Sequence, residues 1–180
     1  MRPFFLRCLV AVFATACTAG AEPSDAGALD AGACMDGLSV AIGVPGEPTG
    51  LEFAPLASGG DIDLESFGQG GTHANLAVRT IGFGKQAFVD VTLENLATGK
   101  TVHTVPSSRP QLLLCRDAAN CVCDLLPLNV MTGGLAECAE KDGLMIRVTA
   151  KVHNEAGLMA EASHDGVLRK AYKGTCPAAP

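Results

Sequence analysis

Between residues 86 and 153 the chain alternates in polarity. In "FVDVTLEN", Val89, Val91 and Leu93 fall on one side and Asp90, Thr92 and Glu94 on the other. "GLMIRVTAKVHN" repeats the rhythm, setting Leu144, Ile146, Val148, Ala150 and Val152 against Arg147, Thr149, Lys151 and His153. Successive side chains of a strand point to opposite faces, so a period of two predicts strands with one buried face. "ANLAVRTIG" alternates less cleanly, with Leu76, Val78 and Thr80 opposite Ala77, Arg79 and Ile81, which predicts a strand covered on both faces. The turn signals "GFGKQ", "LATGK", "PSSRP", "MTGG", "NEAG" and "HDG" punctuate these runs.

Two hairpins are expected. One joins Gln86–Asn95 to Lys100–Val105, with Gly99 free to take a positive-φ turn position. The other joins Leu144–His153 to Leu158–Ser163 through "NEAG". Only "GLAECAEKDG", Gly134 to Gly143, leans towards helix, and it allows barely two turns. Strands at this spacing predict an all-β fold, an antiparallel two-sheet β-sandwich.

The N-terminus follows another pattern. "MRPFFLR" carries Arg2 and Arg7, and "CLVAVFATA" is an apolar run from Cys8 to Ala16. A short cationic region before a short apolar one is the layout of a secretory signal peptide. A bilayer-spanning helix needs roughly 20 apolar residues, more than this run supplies. "ATAC", Ala14 to Cys17, resembles the bacterial lipobox, with Ala14 where leucine is usual. That resemblance implies a signal peptide over residues 1–16 and an acylated, palmitate-bearing Cys17 as the mature terminus. Cleavage after Ala21, leaving Glu22 first, is the alternative. Either event leaves six mature cysteines beyond residue 17, whereas cleavage after Ala16 without acylation leaves an odd seven.

Residues 17–33 continue with "TAGAEPSDAGALDAGA", almost wholly Ala, Gly, Asp, Ser and Pro. Little apolar side-chain area is available there to offset ordering entropy, so this is read as a flexible tether. A calcium-binding aspartate loop is excluded by the missing EF-hand spacing and closing glutamate. Residues 34–180 form one domain by length. The net charge is −6, and without Arg2 and Arg7 it is 11 cations against 19 anions, or −8. With no basic cluster and no Trp, that balance excludes nucleic-acid binding and electrostatic docking on anionic lipid.

Six cysteines bracket the domain: Cys34, Cys115, Cys121, Cys123, Cys138 and Cys176. In an exported chain an even set reads as disulfides. Cys121 and Cys123 are too close for a comfortable mutual bridge, so each reaches outward. Cys115, Cys121, Cys123 and Cys138 are expected to form two bridges around a loop, with Cys34 and Cys176 stapling the ends. Zinc held by the same four is the rival. Structural zinc sites usually pair CxxC knuckles, which "CRDAANCVCD" lacks.

The most motif-like stretch is "SFGQGGTHANLAVRTIGFG", Ser66 to Gly84. A phosphate loop needs GxxxxGK[ST], and this run has neither the spacing nor the lysine. A dinucleotide fingerprint needs a third glycine where His73 stands, and a following helix where a strand is expected. The run is therefore read as a strand opener. Gly70 and Gly71 take backbone conformations closed to other residues, and Gln69 and His73 satisfy loop backbone.

"APLASGGDIDLESFGQGGTHANLAVRTIG", Ala54 to Gly82, resembles a pattern in bacterial surface lipoproteins of the myxobacterial type. There, P-L-x-x-G precedes G-x-Q-G-G-x-H and a long strand. Pro55, Leu56 and Gly59 match the first element; Gly68, Gln69, Gly70, Gly71 and His73 match the second with one residue fewer between glycine and glutamine. The resemblance covers about 30 of 180 residues. It implies an Ig-like β-sandwich in an exported protein, with no established activity.

The expected function is that of an envelope-tethered lipoprotein, at the outer membrane or cell surface, acting as a structural or binding module without catalysis. Its partners would be the membrane, through the lipid anchor, and a protein or glycan. No cofactor or metal is expected. Periplasmic or secreted soluble localisation is the alternative. A second function class is a metal-binding protein using His73 with another histidine or with Met131, Met145 or Met159. The four histidines, His73, His103, His153 and His164, show no HxH or HExxH spacing. A third class, an envelope hydrolase, lacks a GxSxG nucleophile motif.

Overall fold

The structure is a computed structural model and describes residues 37–67, 71–117, 119–134 and 138–170. It runs β1 (Ser39–Gly46), β2 (Glu52–Pro55), β3 (Gly60–Phe67), β4 (Gly71–Ile81), β5 (Gln86–Asn95), β6 (Lys100–Val105), β7 (Gln111–Leu112), β8 (Leu114–Asp117) and β9 (Val122–Gly134). A single helical turn, α1 (Cys138–Lys141), precedes β10 (Met145–His153) and β11 (Met159–Lys170). The protein is nearly all-β. Of the helix expected over Gly134–Gly143, only α1 appears among the described residues.

Side-chain alternation builds the strands as it predicts. In β10, Ile146, Val148, Ala150 and Val152 are buried, while Met145, Arg147 and Lys151 stay exposed. Ala87, Val89, Val91 and Leu93 of β5 are buried in the same way. In β4, Leu76, Ala77 and Val78 are buried in succession, because this strand is covered on both faces.

Both expected hairpins are present. β5 and β6 pair from Val91↔Val105 to Asn95↔Lys100, turning at Gly99 with φ 66°. The Asn95 carboxamide closes that turn by accepting from the backbone N–H groups of Ala97 and Thr98. β10 pairs with β11 from Met145↔Val167 to His153↔Met159, so the second hairpin is longer than expected.

The strands form a ladder in the order β2-β1-β4-β3-β11-β10-β5-β6, with β9 on the other side of β4, β8 beyond it, and β7 beside β5. β1 stands four places from β10 in this order, yet it touches both β10 and β11. The sheet therefore curls back over itself. Leu76 and Val78 of β4, Val91 and Leu93 of β5, and Val148 of β10 meet in a single core.

One expectation is corrected. The sheet is mixed, because β11 runs parallel to β3 from Gly166↔Gly60 to Lys170↔Leu64. Alternation is identical for either strand direction, and no hairpin ties these distant segments, so the pattern carries no information on their orientation. Their close approach depends on glycine. A Cβ at Gly166 would stand 2.7 Å from Ile62 Cδ1 and 3.1 Å from the Gly60 carbonyl oxygen.

Candidate functional site

β4 is longer than either strand beside it on one flank. β3 pairs with its first half, ending at Leu64↔Ala74, and β1 pairs with its second half, starting at Gly43↔Ala77. Asn75 and Leu76 lie at the split. On the opposite flank β9 bulges at the same level: Leu76 faces Leu128 and Val78 faces Leu125, so Leu126 and Pro127 together oppose Ala77. A groove of about 510 Å³ opens here.

Its lining is mixed in character. Val44, Pro45, Leu51, Ala54 and Pro127 contribute apolar surface. β3 contributes charge, since its alternation sends Ile62 and Leu64 into the core and leaves Asp61, Asp63 and Glu65 along the groove. Glu47, from the β1–β2 turn, adds a further carboxylate at the rim. Burial, followed by repulsion from Glu65, Glu47 and Asp61, holds the Asp63 carboxyl above its ordinary pKa. Asp61 accepts a hydrogen bond from Arg169 Nε at 3.1 Å. Asn75 lines the groove, and its Oδ1 atom is shut off from solvent with no hydrogen-bond partner.

A charged cluster pins the apolar part of the lining in place. Arg79 of β4 donates to Asp124 of β9 through Nε at 2.7 Å and Nη2 at 2.9 Å. Arg116 of β8 approaches the same carboxylate at 3.6 Å and also donates to the backbone carbonyl of Leu51. The Arg79 guanidinium lies 4.5 Å from the centre of the Phe53 ring. Gly43 makes room for that ring, since a Cβ there would stand 2.6 Å from Phe53 Cε2 and 2.3 Å from the Ala54 carbonyl oxygen. The β1–β2 hairpin is thus clamped over the sheet from beneath and from its side.

The "GGTH" run does open a strand, as β4 begins at Gly71. Gly71 serves His73 directly. A Cβ at Gly71 would lie 3.0 Å from His73 Cε1, 3.7 Å from Nε2 and 3.8 Å from Nδ1. The imidazole therefore lies back over the glycine two residues before it, on the same face. Gln69 and Gly70 lie outside the described residues, as do Cys17, Cys34, Cys176, the signal peptide and the tether.

Cys115 and Cys123 are bonded to each other, at directly opposed positions of β8 and β9. Cys121 is also disulfide-bonded and sits in the left-handed region at φ 53°. The side chain of Cys138 is outside the described set. The expectation that Cys121 and Cys123 each reach elsewhere agrees with this bonding.

The histidines fall on four strands: His73 on β4, His103 on β6, His153 on β10 and His164 on β11. His73 faces Glu65 and Met131 across the ladder, and His153 faces Met159 while stacking on Phe88 at 4.7 Å. Among the described residues, no three His, Cys, Asp or Glu side chains converge to hold a metal ion. Ser66 pairs with Thr72 while His73 pairs with Glu65, so that serine and that histidine point to opposite faces. No described helix is long and apolar enough to cross a membrane. No protein-family model matches the chain, and comparison with curated proteins finds no match.

The groove was not visible in the sequence. Its partial signal was "DIDLES", three carboxylates at period two, which reads equally well as a solvated strand face.

Proposed function

We propose that this chain is an exported, lipid-anchored binding module of the bacterial envelope, built on an Ig-like β-sandwich, that acts by recognition and not by turnover. The groove at the β4 split is its recognition surface. The observation that carries this reading is the pairing of apolar lining with Asp63 and Glu65, on strands rigidly laddered into the core. Groups poised on a rigid scaffold bind without a large ordering cost. Desolvation by burial, followed by repulsion from neighbouring carboxylates, raises the Asp63 pKa, and both are unfavourable for the free protein, as expected where a partner later relieves them. The anchor and export rest on the N-terminal pattern and on Cys17.

The test is site-specific photo-crosslinking in the intact envelope. A photoreactive residue at position 51, in the groove, should yield a discrete adduct on illumination. The same residue at position 151, on the exposed face of β10, should not. Equal adducts from both positions, or none from position 51, would overturn the reading. Intact mass of the membrane-extracted protein tests the anchor, with an acylated Cys17 as the expected terminus.

A further inference from the structure

Cys115 and Cys123 account for each other, and Cys121 is disulfide-bonded to a cysteine outside that pair. The others in the chain are Cys8, Cys17, Cys34, Cys138 and Cys176. Cys8 lies in the apolar run of the signal peptide, and Cys17 is acylated or removed with it in either reading of the N-terminus.

We propose that the partner of Cys121 is Cys34, so that the bridge ties the base of the tether to β9. Ser39 of β1 pairs with Ile81 on one flank of β4, and Val122 of β9 pairs with Ile81 on the other. Both strands run antiparallel to β4, so Leu38 and Cys121 each extend past its end in the same direction. Cys121 is 5% exposed, and its carbonyl accepts from the N–H of Gly82, the first residue after β4, at 3.2 Å. Ser39 and Val122 stand two strand spacings apart, about 10 Å. The five residue steps from Ser39 back to Cys34 reach about 17 Å, which covers that span.

The other two cysteines belong to the far end of β4. Cys138 opens α1, where Lys141 donates to the carbonyl of Thr132. Thr132 is ten positions along β9 from Val122, about 30 Å of strand, and three helical steps with a lysine side chain recover roughly a third of it. A disulfide tolerates a Cα separation of at most about 7 Å. Cys176 follows Lys170, which pairs with Leu64 and whose N–H donates to Asp142 just after α1. Leu64 in turn faces Ala74, seven positions of β4 before Ile81, or about 23 Å. The six residues from Lys170 to Cys176 reach about 20 Å fully extended, less than that length even before β3 and β4 are crossed.

Forming the bond takes one hydrogen from each thiol and passes two electrons to a protein disulfide of the oxidising compartment, which leaves as a dithiol. Its consequence is mechanical. Pairing of β1 with β4 starts at Ser39↔Ile81, so a pull on the N-terminal chain would open that rung first. The bridge diverts the pull into β9, which is laddered to β4 from Gly71↔Gly134 to Ile81↔Val122. β1 carries Val44 and Pro45 of the groove, and they stay in place under load. This consequence rests on the anchored binding-module reading; the bond itself does not.

The experiment is digestion of the mature full-length protein without reductant, cutting before Asp and after Lys or Arg, followed by mass spectrometry. Cys34 then falls in the piece 30–35, and Cys121 with Cys123 in the piece 117–123. The expected species joins 30–35, 117–123 and the piece ending at Arg116, and reduction separates all three. In the variant Cys115→Ala/Cys123→Ala, 117–123 should carry 30–35 alone. Linkage of 117–123 to the piece holding Cys138 or Cys176, or a free thiol at Cys121, would overturn the assignment and leave the groove reading untouched. In Cys34→Ser/Cys121→Ser, amide exchange over residues 39–43 should rise about tenfold, with β5 and β10 unchanged. Unchanged exchange over residues 39–43 would overturn the mechanical role of the bridge.

Discussion

Arg79 and Asp124 are directly opposed across β4 and β9, and the arginine grips both carboxylate oxygens of an aspartate whose side chain is 0% exposed. Arg116 stands on the other side of that carboxylate. Removing one partner of a buried pair usually costs ~3–5 kcal/mol, because the remaining charge is stranded. Here Arg116 retains part of the compensation, so Arg79→Ala is expected to cost about 2–3 kcal/mol in urea unfolding. Arg79→Lys should recover only part of this, since an ammonium cannot make the paired contact with both carboxylate oxygens.

Gly43 tests the clamp from the other side. Gly43→Ala places a methyl against the Ala54 carbonyl and the Phe53 ring, where neither can yield without lifting β2. The expected cost is about 1–3 kcal/mol, as for overpacking in a core. Amide shifts should concentrate at residues 51–55, and a loss spread evenly over the domain would contradict the local account.

Gly71 and His73 should behave as a coupled pair. Gly71→Ala pushes on an imidazole 3.0 Å away and is expected to cost about 1 kcal/mol. With His73→Ala already in place, the same substitution should cost much less. A double-mutant cycle with additive energies would show that the glycine serves another purpose.

Asp63 carries a pH signature. Its folded-state pKa is raised, so the folded protein holds this proton more firmly than the unfolded chain. Ionising it lowers stability, and that loss grows as pH rises from the ordinary carboxylate value, about 3.9, through the raised one. Repulsion from Glu65, Glu47 and Asp61 acts in the same direction as burial, and Arg169, opposite Asp63 in the ladder, is bonded to Asp61. Asp63→Asn should therefore raise Tm at pH 7, with the gain vanishing near pH 3. A gain unchanged at pH 3 would point to packing and not to charge. A variant more stable yet unable to form the crosslinked adduct from position 51 would have the stability–function trade expected of a recognition site.

The Cys115–Cys123 bridge joins neighbouring strands through a short loop, with a sequence separation of 8. Its contribution should fall at the lower end of ~2–4 kcal/mol, since short loops lose less entropy on closure. Replacing both cysteines with alanine should lower the urea midpoint while leaving the β4–β9 amide protections in place.

The strands were written in the chain itself. Val89–Leu93 and Ile146–Val152 alternate at the period of a pleat, and burying one face of such a run is the only way to remove its apolar side chains from water. Gly99 and Asn95 determined a turn by local backbone chemistry, and so the β5–β6 hairpin could be placed to the residue. The one-sided "DIDLES" face was legible too, but not its purpose. What the tertiary structure decided was adjacency between segments that no turn connects. The parallel docking of β11 on β3, the split of β4 between β3 and β1, and the opposition of Arg79 to Asp124 join residues up to 106 positions apart. Such contacts depend on how the whole apolar face closes into one core, and alternation is silent about which strand will lie beside which. The groove exists only at that junction, where Asn75 of β4 and Asp63 of β3 share one lining.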